Sequence, residues 1–149
     1  MPSDSPSILL LIPAYNEESR IGPVLEVYAL YFREHHPDKF QLVVVLNGCT
    51  DDTLGVVENA SRQFPEIIHV NIPEPVGKGG ALIEGLKLAP EVDLVGYVDA
   101  DGATPPAAFD DLVNECATAD CVIGSRWMAG SVLRQEQTFR RQFASRVFH

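Results

Sequence analysis

The stretch "LVGYVDADGATPP", residues 94–106, passes from apolar to acidic to helix-opening residues without a spacer. Leu94, Val95, Tyr97 and Val98 read as a short buried strand that carries Asp99 and Asp101 to the edge of a core. Two carboxylates so placed repel each other unless something positive lies between them. Gly102 gives the backbone room to bend away. Thr104 followed by Pro105 reads as an N-cap with proline at the first helical position, opening a helix across "PAAFDDLVNEC" (106–116).

The same strand, polar turn and helix recur along the chain. Apolar, β-branched runs stand at "SILLLI" (7–12), "FQLVVVL" (40–46), "IIHVNI" (67–72), "LVGYV" (94–98) and "CVIG" (121–124). Between them lie segments of helical character. In "PVLEVYALYF" the apolar positions Val24, Val27, Leu30 and Tyr31 fall at helical spacing, "TDDTLGVVENASRQF" starts with capping residues, and "GGALIEGLKLA" runs into Pro90. Alternating strands and helices with near-continuous apolar strands predict an α/β fold, a mostly parallel sheet of five strands with helices on both faces.

Each polar cluster follows a strand: "PAYNEE" the first, "NGCTDDT" the second, "PEPVGKGG" the third, "DADGATPP" the fourth and "SRW" the fifth. In open parallel sheets ligands bind in the crevice outside the carboxyl ends of the strands. The loops are therefore expected to converge on one site from positions more than a hundred residues apart.

The chain of 149 residues suits one domain, 1–149. No stretch approaches the ~18 consecutive apolar residues of a membrane span. "MPSDSPS" has no basic residue ahead of the first apolar run, which argues against a secretory signal. Cys49, Cys116 and Cys121 are odd in number and lack CxxC spacing, so neither a zinc site nor a disulfide framework is indicated, and a cytoplasmic location is expected. A net charge of −10 excludes a general nucleic-acid binder. That sum hides an asymmetry: from Arg126 onward five arginines face the single acid Glu136, a surplus of +4, which leaves −14 on residues 1–125. The basic segment 126–149 also sets Phe139, Phe143 and Val147 four residues apart, a pattern suited to an anionic lipid surface, to packing on the domain, or to a second copy in a homo-oligomer.

Asp99 and Asp101 suit a hard divalent ion such as Mg²⁺ or Mn²⁺, which keeps waters and takes its remaining oxygens from substrate phosphates. The structural alternative is that Asp99 ends the strand and Asp101 caps a turn. "VGKGGAL" lacks the spacing of a P-loop, and Leu82 occupies the place of the third glycine of a dinucleotide fingerprint. It reads as a glycine-rich turn opening a helix, with Lys78 placed to meet an anion near free backbone N–H groups. Asn16, Glu17 and Glu18 follow the first strand, where carboxylates could meet sugar hydroxyls or favour the next helix N-terminus; Glu18 is assigned the second role. Asp110 and Asp111 are assigned the same role in the first turn of their helix. His35, His36, His69 and His149 have no ligand spacing, and no hydrolytic triad is suggested.

Together, "IPAYNEESRI", "GKGGAL", "DADGAT" and "GSR", in this order, resemble the inverting nucleotide-sugar glycosyltransferases of family 2, which have the GT-A fold. The likeness is greatest to the dolichyl-phosphate glucosyltransferase and polyprenyl-phosphate hexosyltransferase branch. It implies that Pro13, Ala14, Tyr15 and Glu17 line a nucleotide pocket, that Lys78 approaches the base or diphosphate, and that Asp99 and Asp101 hold the metal, Asp101 more firmly. Arg126, with Arg140 and Arg141, would hold the acceptor phosphate. Catalysis would then rest on Asp101, Lys78 and Arg126.

Many relatives carry "DDGS" after the second strand, where an Asp meets the uracil N–H. This chain has "LNGC", so Leu46 and Asn47 stand there; Asn47 can accept or donate, which leaves the base preference open. Mannosyl relatives often place a metal-binding Gln where Ala103 stands, so the resemblance points to the glucosyl branch and to UDP-glucose as donor. Family catalytic domains run well past 149 residues, which implies a C-terminally short chain. The expected reaction moves a hexose to a polyprenyl phosphate at a membrane surface, with inversion. A transferase acting on hydroxyl acceptors and a nucleotide-sugar-binding module without turnover are the alternatives.

Overall fold

A computed structural model of the protein describes residues 5–88 and 91–125. Four strands and four helices alternate strictly: β1 (Ile8–Ala14), α1 (Ile21–His35), β2 (Phe40–Asn47), α2 (Thr53–Gln63), β3 (Ile67–Ile72), α3 (Gly77–Leu86), β4 (Leu94–Tyr97) and α4 (Pro106–Glu115). The strands form one parallel sheet in the order β3-β2-β1-β4. The chain moves outward from β1 to β3, then crosses back to lay β4 on the other side of β1. That reversal of strand order at β1 creates a topological switch point, the place where open α/β sheets bind ligands beyond the carboxyl ends of their strands.

Strand alternation divides the core in two. Ile8, Leu10 and Ile12 point to one face, where they meet α1, α2 and α4 through residues such as Leu25, Phe32, Val57 and Phe109. Leu9 and Leu11 point to the other, where they join Val43, Val45 and Ala81 beneath α3. Helices therefore cover both faces, as the apolar strands predict. Burying each such Leu, Ile or Phe side chain contributes about 1.5–3 kcal/mol, so the doubly covered β1 and β2 anchor the sheet.

Three local expectations change. The predicted fifth strand does not form: Cys121–Gly124 has no strand pairing, and among the described residues β4 pairs only with β1. A short apolar run becomes a strand only when a ladder partner satisfies its backbone, and sequence pattern alone does not supply one. At this edge Val95 and Tyr97 are about half exposed, because α3 does not reach over β4. In α1 the buried stripe is Val24, Leu25, Tyr28, Ala29 and Phe32, whereas Val27 and Leu30 face outward. Finally, α4 starts one residue late, with Pro105 in the cap position and Pro106 in the first turn. Thr104 makes no side-chain cap; its carbonyl accepts the Tyr28 hydroxyl at 2.7 Å.

Candidate functional site

The loops at the carboxyl ends of the four strands enclose a cavity of about 590 Å³. The β1 end supplies Pro13, Ala14, Tyr15 and Glu17; the β2 end supplies Asn47; α3 supplies Lys78; and the turn after β4 supplies Asp99 and Asp101. Every nucleotide and metal residue expected from the sequence within 5–125 is thus in one place. Arg126, Arg140 and Arg141 lie outside the described residues, as does the amphipathic segment that contains them.

Loop-to-loop hydrogen bonds hold this arrangement. Asn16 takes the left-handed conformation (φ 51°), and its Oδ1 accepts the Thr50 N–H at 2.8 Å, which ties the β1 and β2 loops together. Glu18 reaches across the same seam: its Oε2 accepts the Asp52 N–H at 2.8 Å. It therefore serves the start of α2 and not, as its position in the sequence suggests, that of α1. Asn47, nearly buried, uses its Oδ1 to accept the Val76 N–H at 2.8 Å, fastening the β2 end to the residue before α3. The amide oxygen left open by the sequence thus has a structural duty. At Gly48 (φ 69°) an added Cβ would lie 2.7 Å from Pro75 Cδ, so only glycine permits this approach.

The charged groups form two pairs. Arg20 grips Glu17 with two hydrogen bonds, of 2.8 and 2.9 Å, and itself lines the cavity. Arg20 was not among the expected site residues; the signal available was an acid and a base three apart immediately after a strand. Lys78, the second residue of α3, places Nζ 2.6 Å from Asp99 Oδ1 and 5.1 Å from the centre of the Tyr97 ring. The positive charge demanded by adjacent carboxylates is therefore supplied by a residue 21 positions earlier. Asp101 does cap a turn, accepting the Ala103 N–H at 2.9 Å through Oδ1, and Gly102 makes the bend at φ 76°. Asp101 Oδ2 has no hydrogen-bond partner among the described residues.

Among the described residues no group of three or more His, Cys, Asp or Glu side chains is gathered as a closed metal site. The two-carboxylate donor set at a cavity wall instead fits Mg²⁺ or Mn²⁺, hard ions bound by one or two carboxylates with the remaining places left to water and phosphate. Asp110, expected at the helix N-terminus, is buried in mid-helix. It accepts from Tyr31 Oη at 3.0 Å and pairs with His36 Nε2 at 2.6 Å, outside the cavity lining.

Residues 9–148 match the profile of Glycosyl transferase family 2. The chain belongs to glycosyl transferase family 2. Its fold is that of the GT-A glycosyltransferases, as the motifs implied. Among family members, it is 31% identical to a dolichyl-phosphate beta-glucosyltransferase of Trichomonas vaginalis, over 93% of this chain and 44% of that enzyme. The chain thus spans less than half the length of this curated relative.

Two solved structures share the architecture. The mannosyltransferase PcManGT from Pyrobaculum calidifontis, in complex with GDP-Man and Mn²⁺, superposes with a TM-score of 0.59 at 30% identity, over 67% of this chain and 29% of that one. Glucosyl-3-phosphoglycerate synthase from Mycobacterium tuberculosis, in complex with UDP, gives a TM-score of 0.62 at 26% identity, over 77% and 41%. Among the described residues no helix is long and apolar enough to cross a membrane.

Proposed function

We propose that this chain is the donor-binding part of an inverting hexosyltransferase that moves a sugar from a nucleoside diphosphate to a polyprenyl phosphate. One observation carries the reading: Lys78, Asp99 and Asp101 meet in a cavity at the switch point of the sheet. Likeness to a dolichyl-phosphate glucosyltransferase supports the lipid-phosphate acceptor and makes UDP-glucose the first donor to test.

The chemistry suits these residues. Attack by an acceptor phosphate oxygen on the anomeric carbon breaks its bond to the diphosphate and inverts the centre. A phosphate is already ionised, so no general base is required. Consistent with this, Glu17 is engaged by Arg20, Asp99 by Lys78, and Asp101 by its turn. Lys78 and the N–H groups opening α3 stabilise charge on the departing diphosphate, the electrostatic contribution that is commonly largest. A divalent ion held by Asp99 and Asp101 would add charge neutralisation there. Arg126, Arg140 and Arg141 are assigned to the acceptor phosphate, and their segment to contact with the membrane surface.

A second reading is a donor-binding module without turnover. One assay separates the two. The protein is incubated with UDP-glucose or GDP-mannose, with Mg²⁺ or Mn²⁺, and a short polyprenyl phosphate is offered. Nucleotide release that depends on the lipid phosphate supports transfer. Metal-dependent donor binding without release supports the module, and release only with hydroxyl acceptors replaces the acceptor assignment.

A further inference from the structure

We infer that Lys78 is the resident counter-ion of the Asp99–Asp101 pair, so that a divalent cation is gripped only as the lysine ammonium leaves Asp99, and that this departure delivers Lys78 to the diphosphate. The inference rests on the reading above that these carboxylates hold a divalent ion. What it adds is an order of events: the charge that stabilises the carboxylates before a divalent ion binds becomes the charge that binds the nucleotide.

Distance makes the two cations competitors. Lys78 Nζ stands 2.6 Å from Asp99 Oδ1. A Mg²⁺ ion coordinates oxygen at about 2.0–2.1 Å. An ion sharing that oxygen would therefore lie within roughly 5 Å of the ammonium, where like charges repel strongly. Both side chains of the pair are about half exposed, so the contact is the exchangeable kind whose net worth is small. The ammonium is a placeholder that a divalent ion can displace.

The surroundings allow the movement. Lys78 leaves the first turn of α3 between Gly77 and Gly79, and a Cβ built at either glycine meets nothing within 4 Å. Among the described residues, the other contact of its ammonium is the distant one with the Tyr97 ring, 5.1 Å from the ring centre. The cavity's charged side chains, Glu17, Asp99 and Asp101 against Arg20 and Lys78, leave one net negative charge. A nucleoside diphosphate sugar, itself dianionic, is repelled by that balance. Adding a divalent ion reverses its sign and frees the lysine in the same step, so nucleotide and metal are expected to bind cooperatively.

The test measures Mn²⁺ affinity by calorimetry, without nucleotide and then with UDP, for the wild type, Lys78→Met and Lys87→Met. Lys87 lies at the end of the same helix and pairs with Glu84 outside the cavity, so it controls for loss of one positive charge. Lys78→Met is expected to bind Mn²⁺ alone about two- to fivefold more tightly, the scale of an exposed ion pair, with no comparable gain in Lys87→Met. Its cooperativity between Mn²⁺ and UDP is expected to fall by the share that Lys78 carries, while the share from direct ligation of the diphosphate by the ion remains. In parallel, the side-chain ammonium resonance of Lys78 should shift on Mg²⁺ titration as the Asp99 contact breaks. Mn²⁺ binding that is unchanged or weaker in Lys78→Met, or a Lys78 resonance indifferent to saturating Mg²⁺, overturns this inference and leaves the metal site standing. Absence of Mn²⁺ binding in every variant, with and without UDP, overturns the metal site and the inference together.

Discussion

The Tyr28 hydroxyl in the middle of α1 donates a 2.7 Å hydrogen bond to the Thr104 carbonyl, tying the core helix to the loop that follows the paired aspartates. Burial pushes the Tyr28 phenol well above its ordinary range. Tyr28→Phe leaves that carbonyl unpaired and should lower stability by about 1–2 kcal/mol. The sign of the pH dependence follows from the raised folded value. The neutral phenol contributes fully below the unfolded pKa of about 10, and the contribution is lost as pH climbs from there toward the folded value. Urea denaturation at pH 8 and pH 11 should show a larger alkaline loss in the wild type than in Tyr28→Phe.

Asp101→Asn separates the two duties of Asp101. The amide oxygen can still accept the Ala103 N–H, so the turn and the thermal midpoint should hold. Removing the negative charge should weaken metal-dependent binding of UDP-glucose at least tenfold, by analogy with the 10- to 100-fold losses seen even for outer-shell partners. Donor titrations with and without Mn²⁺ check this, and equal affinities in wild type and variant would remove the metal assignment.

Asp110→Ala removes the acceptor shared by His36 and Tyr31 in a nearly buried position. Leaving those donors without it should cost about 2–3 kcal/mol. Tyr31→Phe, which leaves the His36 contact in place, should cost about 1 kcal/mol or less. Because none of the three lines the cavity, donor affinity at a temperature where the variants remain folded should be unchanged.

Gly48→Ala forces a left-handed backbone on a residue with a Cβ and drives that atom against Pro75. A loss of about 1–3 kcal/mol is expected, together with weaker donor binding, since Pro75 lines the cavity beside Lys78. Chemical denaturation and a UDP titration on the same preparation measure both effects.

Much of this protein is legible in its sequence, for local reasons. Continuous apolar runs in β1 and β2 announce strands covered on both faces, and the alternation with helices dictates parallel pairing. Parallel strands send all their following loops to one end, so Tyr15, Asn47, Lys78 and Asp99 are predictably neighbours. Less legible is whatever depends on which surface a neighbour covers. Val27 and Leu30 sit at helical spacing yet face outward, because the wider stripe through Tyr28 and Phe32 carries the aromatic contacts with Phe40 and Phe109. Val95 and Tyr97 read as core but are about half exposed, on a side of β4 that no described helix covers.

By itself, then, the sequence determined the order of strands and helices, the layered sheet and the end of it that carries the chemistry, since periodicity and loop placement are properties of neighbouring residues. Only the tertiary structure decided the partners: Lys78 with Asp99, Arg20 beside the cavity, Glu18 at the start of α2, and His36 with Asp110. Most of these unite residues far apart in the chain, and proximity of that kind is created by the strand order β3-β2-β1-β4, which no local pattern encodes.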